Sequence, residues 1–157
     1  MEYRIRLLRK DEFGELDNFL YEAIFVPEGV SPPTREILFQ PELQVYVRDF
    51  GTRRGDVAFA AESGGKVVGA AWSRIMNDYG HINDDTPSLA ISLYKEYRGI
   101  GIGTELMRAL LGELKSVGFG QVSLSVQKAN RAVRLYRKIG FVTIDENDEE
   151  YIMLCRL

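Results

Sequence analysis

The sequence predicts a mixed α/β fold, in which a mixed sheet carries helices on both of its faces. Polar and apolar residues alternate over several segments of strand length, which is typical of half-buried strands. Apolar residues recur at spacings of three and four in two longer segments, which is typical of amphipathic helices. These segments follow in the order β-αα-βββ-α-β-α-ββ without a linker or repeat, so the 157 residues are expected to form a single domain over residues 1–157.

Each element of the first half rests on its own pattern. Helical spacing covers Asp11–Phe25, and a loop follows because Pro27 and Pro33 cannot continue a helix. The turn Ser63-Gly64-Gly65 joins two strand-like segments and predicts a hairpin. The elements predicted before residue 88 are a strand over 3–8, helices over 11–25 and 34–39, a helical or irregular stretch over 41–50, strands over 57–62 and 66–75, and a polar loop over 77–87.

The second half predicts a strand over Ser88–Tyr94 and then the longest helix. This helix begins within a glycine run and extends to Val117, and Gly118 is suited to end it. Its apolar residues form one stripe along the helix. The remaining predicted elements are a strand over 121–126, a short helix over 129–139, and strands over 141–144 and 151–154.

Composition narrows the class of protein. Cys155 and His81 are the only cysteine and the only histidine, which excludes an internal disulfide and Cys- or His-rich metal sites. No metal is therefore expected, and the lone cysteine fits a cytoplasmic location. No apolar run reaches the roughly 18 residues that cross a membrane, so no membrane partner is expected. The net charge of −3 disfavours nucleic acid as a partner.

The charge is unevenly distributed along the chain. Residues 95–138 hold nine Lys and Arg against three Glu, a net +6, which leaves −9 for the remainder. Ordinary solvated helix faces explain such a segment. A basic floor for a polyanionic cofactor explains it as well, and the acidic remainder then suits a cationic substrate.

The run Arg98-Gly99-Ile100-Gly101-Ile102-Gly103 stands between a predicted strand and a predicted helix. The first N–H groups of a helix have no intrahelical acceptor, and the helix dipole favours an anion there, so the run predicts a diphosphate site. Glycine lets the ligand approach the backbone closely. Thr104 stands where a dinucleotide fingerprint requires its third glycine, and no Gly-Lys-Ser/Thr follows for a Walker loop. Arg98 is expected either to help neutralise phosphate or to cap the end of the strand.

Two motifs together resemble the GNAT superfamily of acyl-CoA-dependent N-acyltransferases. The segment Arg98–Gly103 matches the family's R/Q-x-x-G-x-G/A motif. The segment Asn130–Phe141 resembles the pattern N-x-x-A-x-x-x-Y-x-x-x-G-F, with Ala132 and Tyr136 one place closer to the asparagine. Lys95 stands where many members of the family carry proline.

The resemblance implies the family's fold, a central mixed, mostly antiparallel sheet in which the strand before the glycine run splays from the next parallel strand. Acetyl-CoA is expected in the opened V, with its pantetheine arm on the backbone of the first strand and its diphosphate on the glycine turn. Asn130 is expected to contact the cofactor from the second helix. The cofactor-binding residues implied in this way are Ile91, Ser92, Leu93, Arg98, Gly99, Ile100, Gly101, Ile102, Gly103, Thr104 and Asn130.

Acyl transfer from a thioester to an amine needs an acid, a base and an oxyanion donor. By resemblance, Tyr136 is the predicted acid that supplies a proton or a hydrogen bond to the leaving thiolate, although a packed core tyrosine is the alternative. The backbone N–H of Leu93 is the predicted oxyanion donor. The candidate bases are His81 and Asp85, together with Asp84 on the same loop and Glu62 at the end of an earlier strand. An exposed, inert histidine, an aspartate that serves the turn, or a water chain without a dedicated base remain alternatives.

The sequence therefore predicts an acetyl-CoA-dependent N-acetyltransferase that acts on a primary amine by direct attack in a ternary complex. The acceptor is either a small molecule or a peptide. Dimers are frequent in the family, so a homodimer is compatible with this prediction. The alternative is a catalytically inactive module that binds or senses acyl-CoA, because a fold does not guarantee an activity.

Overall fold

Seven strands form one sheet in the order β1-β2-β3-β4-β5-β7-β6 in the computed structural model, which describes residues 2–157. The strands are β1 (Arg4–Leu7), β2 (Val57–Ser63), β3 (Lys66–Arg74), β4 (Ser88–Leu93), β5 (Gln121–Gln127), β6 (Val142–Glu146) and β7 (Glu150–Arg156). The α-helices are α1 (Leu16–Ala23), α2 (Pro41–Gln44), α3 (Ile102–Ser116) and α4 (Ala132–Ile139), and 3-10 turns cover Lys10–Glu15, Arg35–Phe39 and Lys95–Tyr97. The pairing of β4 with β5 is parallel and the other neighbours pair antiparallel, so the predicted fold class is confirmed.

The first helical region differs from its prediction. The expected helix over Asp11–Phe25 is a 3-10 segment that passes into the shorter α1. Gly14 lies at this junction, where its low helix propensity weakens a continuous α-helix. The expected helix over 34–39 is a 3-10 turn, and α2 gives way to turns after four residues. Short segments such as these gain too few helical hydrogen bonds to extend on their own.

The sheet is covered on both faces, as the element order predicts. On one face, α3 and α4 pack over an apolar cluster that includes Leu110, Leu124 and Met153. On the other face, α1 and the segments after it pack on the sheet through a second cluster that includes Phe19 of α1 and Trp72 of β3. β3 is buried on both faces from its second residue onward. The middle of the sheet therefore lies in the core, and the buried polar side chains of the sheet lie near the strand ends and on β5.

The segment after α2 is fastened to the end of β3 by a buried ion pair. Arg74 Nη2 lies 2.9 Å from Asp56 Oδ2, and both side chains are enclosed, with 0% and 1% of their surface exposed. The Arg74 guanidinium also donates to the carbonyl groups of Val45 and Arg48 and lies over the Phe50 ring. This network holds the chain around residue 46 against the sheet.

None of the helices within residues 2–157 combines the length and the apolar character that crossing a bilayer requires.

Candidate functional site

A gap opens between β4 and β5. The two parallel strands are paired at a single position, Ser88 with Ser123, and the Ser123 N–H donates to the Pro87 carbonyl at 3.0 Å. β5 and β7, by contrast, stay paired along their whole length, from Gln121 to Gln127. β4 and β5 therefore diverge after their first residues and form the V that the resemblance implies. We call the paired end the vertex of the V and the other end its mouth.

The edge of β4 that borders the gap carries free backbone groups. The Tyr94 N–H donates to Val68 of β3 at 3.0 Å, so the even-numbered residues of β4 direct their backbone groups toward β3. In an antiparallel pair these groups alternate in direction along the strand. The N–H groups of Ile91 and Leu93 therefore face the gap, where β5 has moved away. The Ser92 side chain points elsewhere, because its hydroxyl donates to the Phe19 carbonyl of α1 at 2.6 Å.

The glycine turn lies at the mouth of the V, directly before α3. Gly99 and Gly101 have positive φ angles of 79° and 94°, which glycine adopts without strain. Within the described chain, the N–H groups of residues 99 to 104 donate to no protein acceptor, and residues 99 to 101 are exposed. Ile102 is the first residue of α3, and its side chain is buried while Ile100 is half exposed. Six unpaired donors at a helix N-terminus suit a diphosphate.

The surroundings of Gly103 explain why the R/Q-x-x-G-x-G/A motif allows either glycine or alanine at its last position. A Cβ at this position would lie 3.5 Å from Leu135 Cδ2 and 3.9 Å from Leu93 Cδ1, which are ordinary contacts. The approach of Leu135 also places α4 beside the first turn of α3. Both motifs therefore flank the mouth of the V.

Two of the predicted side chains have local partners of their own. The Arg98 guanidinium donates from Nε to the Leu93 carbonyl at 2.9 Å and lies 3.3 Å from a Glu22 carboxylate oxygen. Of its two expected roles, the structure therefore contains the cap at the end of the strand. Asn130 precedes α4, and its Oδ1 accepts the Ala132 N–H at 2.9 Å. Its side-chain amide has no partner among residues 2–157 and stays available to a ligand.

Tyr136 packs on α4 against Phe141, with the ring centroids 5.9 Å apart, and 7% of its surface is exposed. Burial raises the pKa of its phenol, so the hydroxyl stays protonated at neutral pH. The Tyr136 hydroxyl has no hydrogen-bond partner in the described part of the chain. It is nevertheless not fully enclosed, because the enclosed polar side-chain atom without a partner within residues 2–157 is His81 Nδ1. The Tyr136 hydroxyl therefore contacts open space and is free to donate.

His81 and Asp85 lie on the loop between β3 and β4, at the opposite end of β4 from the glycine turn. His81 Nε2 is 3.6 Å from Asp84 Oδ1. Asp85 has 94% of its side chain exposed and is 3.9 Å from an Arg54 nitrogen. The structure thus brings neither of them beside the turn, and their roles as bases stay predictions.

A partly buried carboxylate on the same loop escaped the sequence analysis. Asp78 accepts hydrogen bonds from the hydroxyls of Ser88 at 2.9 Å and Tyr46 at 3.2 Å. Burial is the largest effect on its pKa, which is raised. In the sequence Asp78 looks like any other polar loop residue, because Tyr46 comes from 32 residues earlier. One feature of the sequence could have pointed to a polar site here. The alternation along β5 gives this strand a polar face that includes Ser123 and Ser125.

Comparisons with known proteins agree with this geometry. Residues 20–141 match the model of the acetyltransferase (GNAT) family. The chain is 30% identical over 172 aligned positions to an N-alpha-acetyltransferase of Sulfurisphaera tokodaii, which covers 99% of this chain and 94% of that protein. It is 36% identical over 91 positions to the mycothiol acetyltransferase of Thermobispora bispora and spans 31% of that protein's length.

Among solved structures, the fold matches the PaiA N-acetyltransferase of Thermoplasma acidophilum in complex with coenzyme A. The TM-score is 0.72 at 20% identity, and the match covers 100% of both chains. The fold and the sequence matches thus define the class of protein as an acetyltransferase. The chain belongs to the GNAT family, since the family model covers most of it.

Proposed function

We propose that this protein transfers an acetyl group from acetyl-CoA to a primary amine while both substrates are bound together. The observation that carries the proposal is the row of unpaired N–H groups of residues 99 to 104 at the mouth of the V. The first backbone donors of a helix have no intrahelical acceptor, and a diphosphate supplies several oxygens at once. Family membership supports the same cosubstrate.

The residues present fit acetyl-CoA in three places. The glycine turn would hold the diphosphate, the gap-facing backbone of Ile91 and Leu93 would hold the pantetheine arm, and the Asn130 amide would contact it from the start of α4. Acetyl-CoA supplies a thioester whose carbonyl carbon accepts an amine. The N–H of Leu93 stays our proposed donor to the oxygen that becomes negative during this attack, and the Ile91 N–H is a second donor nearer the vertex.

Tyr136 is the proposed group that meets the leaving thiolate. A phenol normally has a pKa of about 10 and a thiol about 8.5. Because burial raises the phenol pKa further, complete transfer of its proton to the thiolate is uphill. Tyr136 is therefore proposed to act mainly as a hydrogen-bond donor that stabilises the developing thiolate, with the final proton taken from solvent.

The acceptor side is proposed to lie on the sheet face covered by α1 and α2. The N-alpha-acetyltransferase of Sulfurisphaera tokodaii supports an amine, either of a small molecule or of a peptide. The acidic balance outside residues 95–138 favours a cationic acceptor. Homodimer formation and a cytoplasmic location stay predictions from the resemblance and the composition.

Two measurements test the proposal. Titration calorimetry with acetyl-CoA tests the cofactor site, and thiol release over a panel of primary amines tests transfer. We expect micromolar binding and turnover with at least one amine. Absence of heat with acetyl-CoA would overturn the proposal. Tight binding without turnover of any amine would favour the alternative, an inactive acyl-CoA-binding module.

A further inference from the structure

Asp78 is a carboxylate held by hydroxyls and not by a cation. Its two oxygens accept from Ser88 and Tyr46, and no Lys, Arg or His side chain within residues 2–157 forms an ion pair with it. A carboxylate that is partly removed from water and lacks a counter-ion favours a cation that binds beside it. Asp78 and Tyr46 are each partly buried.

Asp78 lies at the vertex of the V. Ser88, which donates to it, is the β4 residue paired with β5. Ser125 stands two residues further along β5, on its polar face, and faces the Tyr46 hydroxyl. Leu93 lies about 17 Å from Ser88, five residue steps along the extended β4, and the glycine turn follows it at the mouth. A cosubstrate whose diphosphate lies at the mouth directs its acyl end toward the vertex.

No cation within residues 2–157 is paired with the Asp78 carboxylate, and the titratable group next to it on the same loop is His81, whose backbone N–H donates to the Asp78 carbonyl at 3.1 Å. The backbone N–H of Gly80 also acts on the carboxylate and lowers its pKa, against the larger effect of burial. The fully buried Trp72 donates from Nε1 to the Tyr46 carbonyl at 3.2 Å, which holds Tyr46 in place. Burial, the charge of Asp78 and the charge of Glu150 on β7 raise the pKa of the Tyr46 phenol, and a hydrogen bond with Ser125 of β5 lowers it. Tyr46 therefore stays protonated and donates to Asp78.

We propose that Asp78 receives the ammonium group of the acceptor and takes the proton that this group must lose before it attacks; the inference rests on the proposed function. The proton passes from the amine nitrogen to the Asp78 carboxylate directly or through one water, with the acetyl carbonyl on the N–H of Ile91, the gap-facing donor nearer the vertex. The freed electron pair of nitrogen forms the C–N bond to the acetyl carbon, and the C–S bond breaks to give the thiolate. The second proton lost by nitrogen goes to solvent, and the thiolate is met by Tyr136 and protonated from solvent.

The chemistry of this site selects the acceptor. A carboxylate that accepts from two hydroxyls and has no paired cation binds an alkylammonium group and repels an anionic one. Burial raises the pKa of Asp78 toward the range in which a base accepts protons effectively at neutral pH. Tyr46 is a positioning residue, because it acts through Asp78.

The first test is Asp78→Asn, which keeps the size of the side chain and removes the charge. We expect kcat/KM for the amine to fall about 100-fold. In the wild type, kcat/KM should rise with pH as Asp78 loses its proton, and this acid limb of the pH profile should disappear in the variant. The affinity for acetyl-CoA in calorimetry should change less than twofold. Asp11→Asn, the same substitution at a position 81% exposed on the first 3-10 segment, should match the wild type.

The second test is Tyr46→Phe. The Tyr46 hydrogen bond lowers the pKa of Asp78, so its loss should move the acid limb of kcat/KM to higher pH. A merely structural role would lower the rate at every pH without moving the limb. Carbon-detected NMR titration of the Asp78 carboxyl in the free protein measures the same pKa without any turnover.

The outcomes separate this inference from the proposed function. An Asp78 carboxyl that titrates at or below the ordinary aspartate pKa of about 3.9 would overturn the inference even if no amine were turned over. So would an Asp78→Asn variant that keeps the wild-type pH profile. If acetyl-CoA does not bind to the wild-type protein, the proposed function itself fails, whatever the titration gives.

Discussion

The Arg98 guanidinium donates from Nε to the carbonyl oxygen of Leu93 at 2.9 Å, so the arginine that opens the glycine run is tied to the last residue of β4. The chain between them makes a 3-10 turn over Lys95–Tyr97, where many members of the resembled family have proline. The hydrogen bond closes this turn and sets where the unpaired N–H groups stand relative to the gap.

Replacement of Arg98 by alanine should weaken acetyl-CoA binding. The lost bond belongs to a side chain that is 49% exposed, so about 1 kcal/mol, or about fivefold in Kd, is expected. Calorimetry measures it. Arg108→Ala removes an equal charge from an exposed position on α3 and serves as the control. An equal loss in both variants would show that net charge matters and that the bond to Leu93 does not.

Gly101→Ala should weaken acetyl-CoA binding more than Gly103→Ala does. Gly101 has a φ of 94°, where a side chain costs about 1–2 kcal/mol of strain, although nothing obstructs the added methyl group. Gly103 has no such constraint, and its Cβ would make ordinary contact with Leu135. Calorimetric Kd values for the two variants decide the matter, and a reversed order would contradict the described turn.

Tyr136→Phe should lower kcat at least about tenfold, because one hydrogen bond to a developing charge is lost while the ring stays packed against Phe141. The Kd of acetyl-CoA should stay within about twofold. Steady-state rates with a productive amine test this. An unchanged kcat would remove Tyr136 from the mechanism and leave it as a core residue.

Asp56→Asn should destabilise the fold severely. It leaves the Arg74 guanidinium enclosed without its partner, and breaking a buried pair in this way costs about 3–5 kcal/mol. Arg4→Gln breaks a pair with Glu62 whose arginine is 68% exposed, and should cost less than about 1 kcal/mol. Urea unfolding of both variants gives the two free energies. Similar small costs would mean that the interior around Arg74 is hydrated.

The Arg6–Glu12 pair should make stability depend on pH in the acid range. Arg6 donates to both Glu12 oxygens, at 2.8 and 2.9 Å, and lowers the Glu12 pKa from its usual 4.5 to about 2. Because the folded pKa lies below the unfolded one, this stabilisation is complete above pH 4.5 and is lost as the pH falls toward 2.

Glu12→Gln should therefore flatten the fall of the unfolding free energy between pH 5 and pH 3, as measured by urea unfolding at each pH. Glu36→Gln, at an exposed position without an ion pair within residues 2–157, should leave the slope unchanged. Parallel slopes in the wild type and Glu12→Gln would contradict the assigned pKa.

Strong local patterns predicted the elements around the site. The helix over Ile102–Ser116 and the strand over Gln121–Gln127 appear where their periodicity placed them, because each buries one continuous apolar face. The region before residue 50 was predicted less well. Its short segments pack on β3 and β4, and that packing decides between α-helix, 3-10 turn and loop.

The glycine run illustrates what a sequence decides alone. Positive φ angles and free N–H groups are properties of the local chain. Gly99 and Gly101 therefore predicted the turn without any information about the rest of the structure. The partner of Arg98 was left as two alternatives. The hydrogen bond to the Leu93 carbonyl depends on how β4 ends against β3, and the phosphate role stays a prediction.

The sequence by itself determined the order of the elements, the glycine turn before α3, and the family to which the two motifs belong, since each follows from residues close together in the chain. Only the tertiary structure decided where β4 and β5 part and which carboxylate stands at their vertex. Burial, and with it the pKa of Asp78, sums over neighbours such as Tyr46 and Ser88 that the fold brings together from distant segments.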